Sequence, residues 1–227
     1  MILSEFELQA LLLSLKVGFW TVVLSLPFAL LIAWILARYQ FYGKFFLDGL
    51  IHLPLIIPPV VIGYSLLTLF GKQGVIGNFL YNWFDITLIF NWKGAVLASA
   101  IMAFPLMVRT IRIALETLNF ETEIAARTLG ATPFDVFCSI TLPRLVPAII
   151  AGMILSFARS LGEFGATITF VSNIPGQTQT LPIAIYSLTQ KIGGEEAAWR
   201  LSIICIIIAF LALFLLEAFK NKIKNLT

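Results

Sequence analysis

The chain has 227 residues, 59% hydrophobic and 12% charged, with a formal net charge of +3. The charged share is about half of that usual in a soluble domain, and the mean hydropathy is +0.97. That balance excludes a soluble enzyme, and the net charge says little about nucleic acid; it reads as one all-α integral membrane domain, residues 1–227.

A first span is predicted over about 12–38, its core the charge-free run Val17 to Ala37 between Lys16 and Arg38. Pro27 interrupts it, which a membrane helix tolerates where a neighbour covers the freed carbonyl. Glu5 and Glu7 stand where a cleavable signal peptide would carry basic residues, so none is expected. The second span, about 50–71, contains Pro54, Pro58 and Pro59, which predict a bent or locally unwound start and regular helix from about Val60. A broken membrane helix needs protein or a water-filled cavity beside it. Pro58 and Pro59 are therefore pathway candidates, although a kink that only shapes packing is an equal reading. His52 is the only histidine and is read as structural. Lys72 to Lys93 mixes Tyr81, Trp83, Phe84 and Trp92 with Asn78, Asn82 and Asp85, the composition of an interfacial loop.

The third span, about 94–113, reaches spanning length if Arg109 and Arg112 extend to the interface. A soluble-looking segment follows, about 119–143. Asn119 can cap a short helix whose first turn holds Glu121 and Glu123. Gly130 sits where a helix end needs left-handed backbone. Thr132-Pro133-Phe134-Asp135 restarts a helix, which Leu142-Pro143 should end. The expected product is a helix–glycine–helix knob shaped to be gripped from the aqueous side.

The fourth span, about 145–170, repeats small residues at Ala148, Gly152, Ser156 and Ser160, a stripe that lets helix backbones approach closely. It also carries Arg159 and Glu163, one turn apart. Charges in a bilayer cost roughly 2.5–3.5 kcal/mol each on insertion scales, so they should face protein or water. Two readings stand: a pair that locks helix to helix, or the lining of a polar pathway near a gate. Ser160, Gly162, Gly165 and Thr167 join them as pathway candidates, because glycines permit a bend and hydroxyls can replace part of an anion's hydration. A half-buried helix around Ile183 to Leu188 precedes the fifth span, about 200–219, which ends at Glu217 and the basic Lys220, Lys222 and Lys224. Cys138 and Cys205 form neither a plausible disulfide nor a ligand set, and no metal site is expected.

Five spans place the termini on opposite sides. Arg38, Lys44, Arg109, Arg112, Arg127, Arg144 and the three lysines of the tail share one set of loops. The other set has only Lys72, Lys93, Lys191 and Arg200. The richer side is cytoplasmic by the positive-inside rule, so the knob and C-terminus face the cytoplasm and the N-terminus faces outside. Gly71-Lys72-Gln73 lacks the upstream glycine and the Ser/Thr of a phosphate-cradling loop, and no catalytic or metal motif occurs. Energy must then come from a gradient or from another subunit.

Ala125, Ala126, Gly130, Leu142 and Pro143 match the cytoplasmic-loop signature of the membrane subunits of binding-protein-dependent ABC importers, which the chain resembles. It departs from that signature in one place: Ile124 stands at the usual glutamate, with Glu123 one residue earlier. HLPLIIPPVVIGY (His52 to Tyr64), AARTLGA (Ala125 to Ala131) and FARSLGEFGATITFVSNIPGQTQTLP (Phe157 to Pro182) are similar to the molybdate-permease branch. Sulfate permeases look similar in the second stretch and part of the third. The resemblance implies the type I importer permease fold and a pore made of two copies in a bacterial inner membrane. It implies a cytoplasmic ABC ATPase dimer that binds ATP and Mg, and a periplasmic molybdate-binding protein. No catalytic role and no cofactor fall to this chain, which meets the lipid bilayer and no nucleic acid. Glu123, Ala125, Ala126, Arg127, Gly130 and Ala131 would form the ATPase-coupling surface. The cargo would be molybdate; the alternatives are tungstate, sulfate or thiosulfate, or a gradient-driven carrier.

Overall fold

The computed structural model describes residues 3–118 and 120–224, and among them only helices and connecting turns occur. The Asn119 cap and the side chains of Lys220, Lys222 and Lys224 lie outside the described residues. Four helices are long and apolar enough to cross a membrane: Glu5–Arg38, Trp92–Thr117, Pro133–Leu161 and Glu195–Ala218. The pair Lys44–Leu55 and Pro59–Phe70, bent by 108°, makes a fifth if taken as one span.

Helix α1 (Glu5–Arg38) starts earlier than the expected span because Ser4 and Glu7 close a capping box, which satisfies two otherwise unpaired backbone donors. α2 (Lys44–His52) leads into a 3-10 turn at Leu53–Leu55, and α3 (Pro59–Phe70) begins with Pro58 as cap and Pro59 in its first turn. The proline cluster thus produces the predicted break, and helix resumes within a residue of Val60. His52 Nδ1 lies 2.8 Å from the Asp48 carbonyl one turn back, a local contact consistent with a structural histidine.

The segment expected as an interfacial loop contains a helix, α4 (Val75–Phe84). Its aromatic residues are exposed at helical spacing, with Phe79 packed on both Trp83 and Phe84; composition showed the interface but hid the period. α5 (Trp92–Thr117) is the central helix and packs chiefly on α1 and on α8 (Leu142–Leu161). The α1–α5 seam holds Ala29, Ala33, Ala95, Ala98 and Ala103, all fully buried. Without a hydrophobic drive between helices in lipid, such small residues provide van der Waals contact by close approach. The predicted small-residue stripe on α8 makes the same kind of seam. A Cβ on Gly152 would lie 3.4 Å from Met107, and Ser156 Oγ donates to the Ala103 carbonyl at 3.4 Å.

α6 (Phe120–Thr128) and α7 (Pro133–Val136) form the knob. Two expectations need correction here. Leu142-Pro143 does not end the second knob helix: α7 runs through a π turn at Phe137–Thr141 directly into α8. A π turn is wider, and it accommodates both the ring of Pro143 and its missing N–H without breaking the helix. The fourth span, conversely, is not continuous from 145 to 170. α8 ends at Leu161, and after Gly162–Phe164 a short helix α9 (Gly165–Val171) follows. α10 (Leu181–Thr189) is the predicted half-buried helix, seated against α1 and α11 (Glu195–Lys224) through Leu181, Ala184 and Leu188.

Candidate functional site

The knob has an inner and an outer face. On the inner face Glu123 is buried, and its Oε1 accepts from Arg38 Nη2 at the last turn of α1 and from Thr141 Oγ1, 3.0 Å away in the π turn. Arg38 also lies over the Trp34 ring, 5.3 Å from its centroid. Trp34 meets Phe137 of the π turn edge-on, with centroids 5.2 Å apart. One carboxylate thus fastens α6 to the end of α1 and to the start of α8. A second brace nearby joins α2 to α5 through Asp48 and Arg112, 2.7 Å apart, and Arg112 also bonds Glu116 at 2.8 Å.

On the outer face Ala125, Arg127 and Gly130 are exposed, while Ala126 and Ala131 are half-buried. Gly130 has φ +91°, as its place at the helix end predicts, and no atom would lie within 4 Å of an added Cβ. The Ala131 N–H bonds the Ala126 carbonyl at 3.1 Å, closing the α6 end. Thr132 and Asp135 form the predicted capping box of α7. Residue-by-residue reading noted Ile124 only as a departure from the loop signature and missed Leu129 and Phe134; the three are 57%, 89% and 73% exposed on this face. The missed signal was their apolar character in an otherwise polar segment, and it also gives Ile124 a place: the apolar side chain faces out while the carboxylate of Glu123 faces in.

The second cluster lies at the break between α8 and α9. Glu163 is 2% exposed. Its Oε2 pairs with Arg159 Nη1 at 2.8 Å, and its Oε1 accepts the Ala166 N–H at 2.9 Å. The carboxylate therefore bridges the break, holding the last turn of α8 and capping the first turn of α9. Across from it, a Cβ on Gly165 would meet Pro59 Cβ at 2.9 Å, and one on Gly63 would meet the Ala166 carbonyl oxygen at 2.5 Å. α3 and α9 approach backbone to backbone, so Pro59, Gly165, Glu163 and Arg159 come together as one unit. Pro58 and Gly162 are exposed beside it. Ser160 and Thr167 are buried instead: Ser160 faces Gly18 of α1, and the Thr167 hydroxyl has no partner. Sequence reading also missed the ion pair of Glu7 with Arg200, 2.9 Å long, which ties the start of α1 to α11.

The family model described as "Binding-protein-dependent transport system inner membrane component" matches residues 25–225. The chain is 58% identical over 217 residues to the molybdenum transport system permease protein ModB of Escherichia coli (strain K12), covering 96% of this chain and 95% of that protein. It is 41% identical over 195 residues to the sulfate transport system permease protein CysT of the same strain, covering 86% of this chain and 70% of that one. Among solved structures, a bacterial alginate ABC transporter in complex with an alginate pentasaccharide-bound periplasmic protein superposes with a TM-score of 0.76 at 19% identity, over 97% of this chain and 80% of that chain. At that identity the likeness shows the fold alone, that of the type I ABC importer permeases. This is a multi-pass membrane transport component, and the chain belongs to the family of inner membrane components of binding-protein-dependent transport systems.

Proposed function

We propose that the chain is the membrane-spanning subunit of an ATP-driven molybdate importer in a bacterial inner membrane. The observation that carries the reading is the 58% identity to a molybdenum permease over 96% of the chain. Two copies enclose the pathway, so five spans per chain suffice. The knob and C-terminus face the cytoplasm, a reading supported by the excess of basic residues in that set of loops. A cytoplasmic ATPase pair, which binds ATP and Mg, grips the outer face of the knob, where Ile124, Leu129 and Phe134 offer apolar contacts beside Ala125, Arg127 and Gly130. A periplasmic binding protein delivers the oxyanion. The pathway itself needs only weak groups that replace hydration, because a tight site would slow release.

The test is reconstitution of the chain with its co-isolating ATPase in vesicles. ATP hydrolysis and radiolabelled uptake are then measured with binding protein loaded with molybdate, tungstate or sulfate. Molybdate-loaded binding protein should stimulate both. Stimulation by sulfate alone would move the chain to the sulfate branch, and uptake without any ATPase would replace the reading with a gradient-driven carrier.

A further inference from the structure

The bend in the second span leaves an apolar groove of about 910 Å³ between α1 and α5. The turn at Leu53–Leu55 lies against α5, and beyond the 108° bend α3 packs chiefly on α9 while Leu66 keeps it against α5. The groove is walled by Trp20 and Phe28 of α1, Val96 and Phe104 of α5, Pro54 of the turn and Phe70 at the end of α3, and along α5 it runs from Trp92 to Phe104. From Trp92 to Phe104 the α5 wall is about 18 Å long, close to the roughly 15 Å of hydrocarbon in one leaflet of a 30 Å core.

The Trp92 end is cationic. Lys93 lines the groove, and Lys16 Nζ stands 3.8 Å from the centroid of the Trp92 ring. Both lysines are exposed, and neither has a carboxylate within ion-pair distance among the described residues. An apolar slot of one leaflet's depth, with an aromatic ring and two cations that have no carboxylate partner at its interfacial end, matches a molecule with an acyl tail and an anionic head.

We propose that the groove is a binding site for one anionic phospholipid, its acyl tail along α1 and α5 and its phosphate between Lys16 and Lys93. The groove lies apart from both the knob and the α8–α9 break, so the site concerns lipid retention, not the cargo. A basic residue near an anionic headgroup strengthens binding about fivefold, so the two lysines together give about 30-fold.

The experiment is native mass spectrometry of the purified full-length chain titrated with phosphatidylglycerol and, separately, phosphatidylethanolamine. One phosphatidylglycerol should bind per chain about 30-fold more tightly than phosphatidylethanolamine. Lys16→Gln with Lys93→Gln, both surface changes, should bring the two lipids to within a few-fold. Ala100→Phe, which fills the groove, should remove the adduct of either lipid while the melting temperature holds. Unchanged headgroup preference in the lysine variant would overturn the proposal, as would an unchanged adduct in a folded Ala100→Phe chain. So would efficient disulfide cross-linking between copies in membranes through Leu97→Cys, with Cys138 and Cys205 replaced by serine, because a second copy would then occupy the groove.

Discussion

Replacing Glu123 by alanine should separate ATP hydrolysis from transport. The side chains of Arg38 and Glu123 are 6% and 7% exposed, so the pair is scarcely screened by water. Removing one partner of a buried pair costs about 3–5 kcal/mol. Here the loss also frees Thr141, so α6 is released from α1 and from the π turn together. At the lower figure of about 3 kcal/mol, the docked arrangement of α6 loses a factor of about 150 relative to undocked ones. The assay compares uptake per ATP hydrolysed in vesicles carrying equal amounts of the chain and its ATPase. Glu123→Ala should reach the membrane and retain ATPase binding through Leu129 and Phe134, yet lose at least tenfold in uptake per ATP. Arg38→Met with Glu123→Leu removes both charges and should recover most of the thermal stability, since apolar replacement of a buried pair is often neutral or better. A Glu123→Ala variant with normal melting temperature and normal coupling would refute the argument.

Other expectations follow from the same geometry. Gly165→Ala places a Cβ 2.9 Å from Pro59 and should destabilise by about 1–3 kcal/mol through overpacking; Gly162→Ala, whose nearest contact would be 3.9 Å away, should leave the melting temperature within a degree or two. Gly130→Leu meets no neighbour, so its fold cost is the left-handed backbone, about 1–2 kcal/mol. Uptake should fall while membrane insertion persists, and Gly130→Asn should be milder in the same uptake assay. Glu163→Ala should reduce molybdate uptake at equal expression far more than Leu213→Ala, which alters an exposed position on α11; equal uptake by the two would remove Glu163 from the working parts.

Much of the local chemistry was legible in the sequence, although the Ser4–Glu7 capping box and the helical period of α4 were not read. The Thr132–Asp135 capping box, the left-handed Gly130 and the restart of helix at Pro59 each depend on a few adjacent residues, and each appears in place. The Arg159–Glu163 pair was legible for the same reason, being one turn apart. Pairings across the chain were not: nothing near Glu7 points to Arg200, and nothing near Glu123 points to Arg38, because those partners meet only once α1, α6 and α11 have packed. Pro143 misled for a related reason. The proline rule assumes a regular α-helical turn before it, and the π turn at Phe137–Thr141 removes that assumption. Glu163 is the instructive mixture. Its partner was predicted, but its second bond, to the Ala166 N–H, exists only because the helix breaks at Gly162.

That second bond changes what the charge pair means for transport. A pair that only locked two helices would place its carboxylate between them, with no bond to a helix start. Glu163 instead joins consecutive helices of one chain, bonded to the last turn of α8 and to the first turn of α9, on which α3 packs. The other end of α8 is fastened to the knob by the Thr141–Glu123–Arg38 cluster. Between the two lies a helix of 20 residues, about 30 Å long and stiff along its axis. Between the knob and the Pro59–Gly165 contact the only interruption along this path is Gly162–Phe164, which the Glu163 carboxylate bridges. On the proposed reading, Arg159 and Glu163 would be required for passage without touching the oxyanion, by holding the joint between α8 and α9.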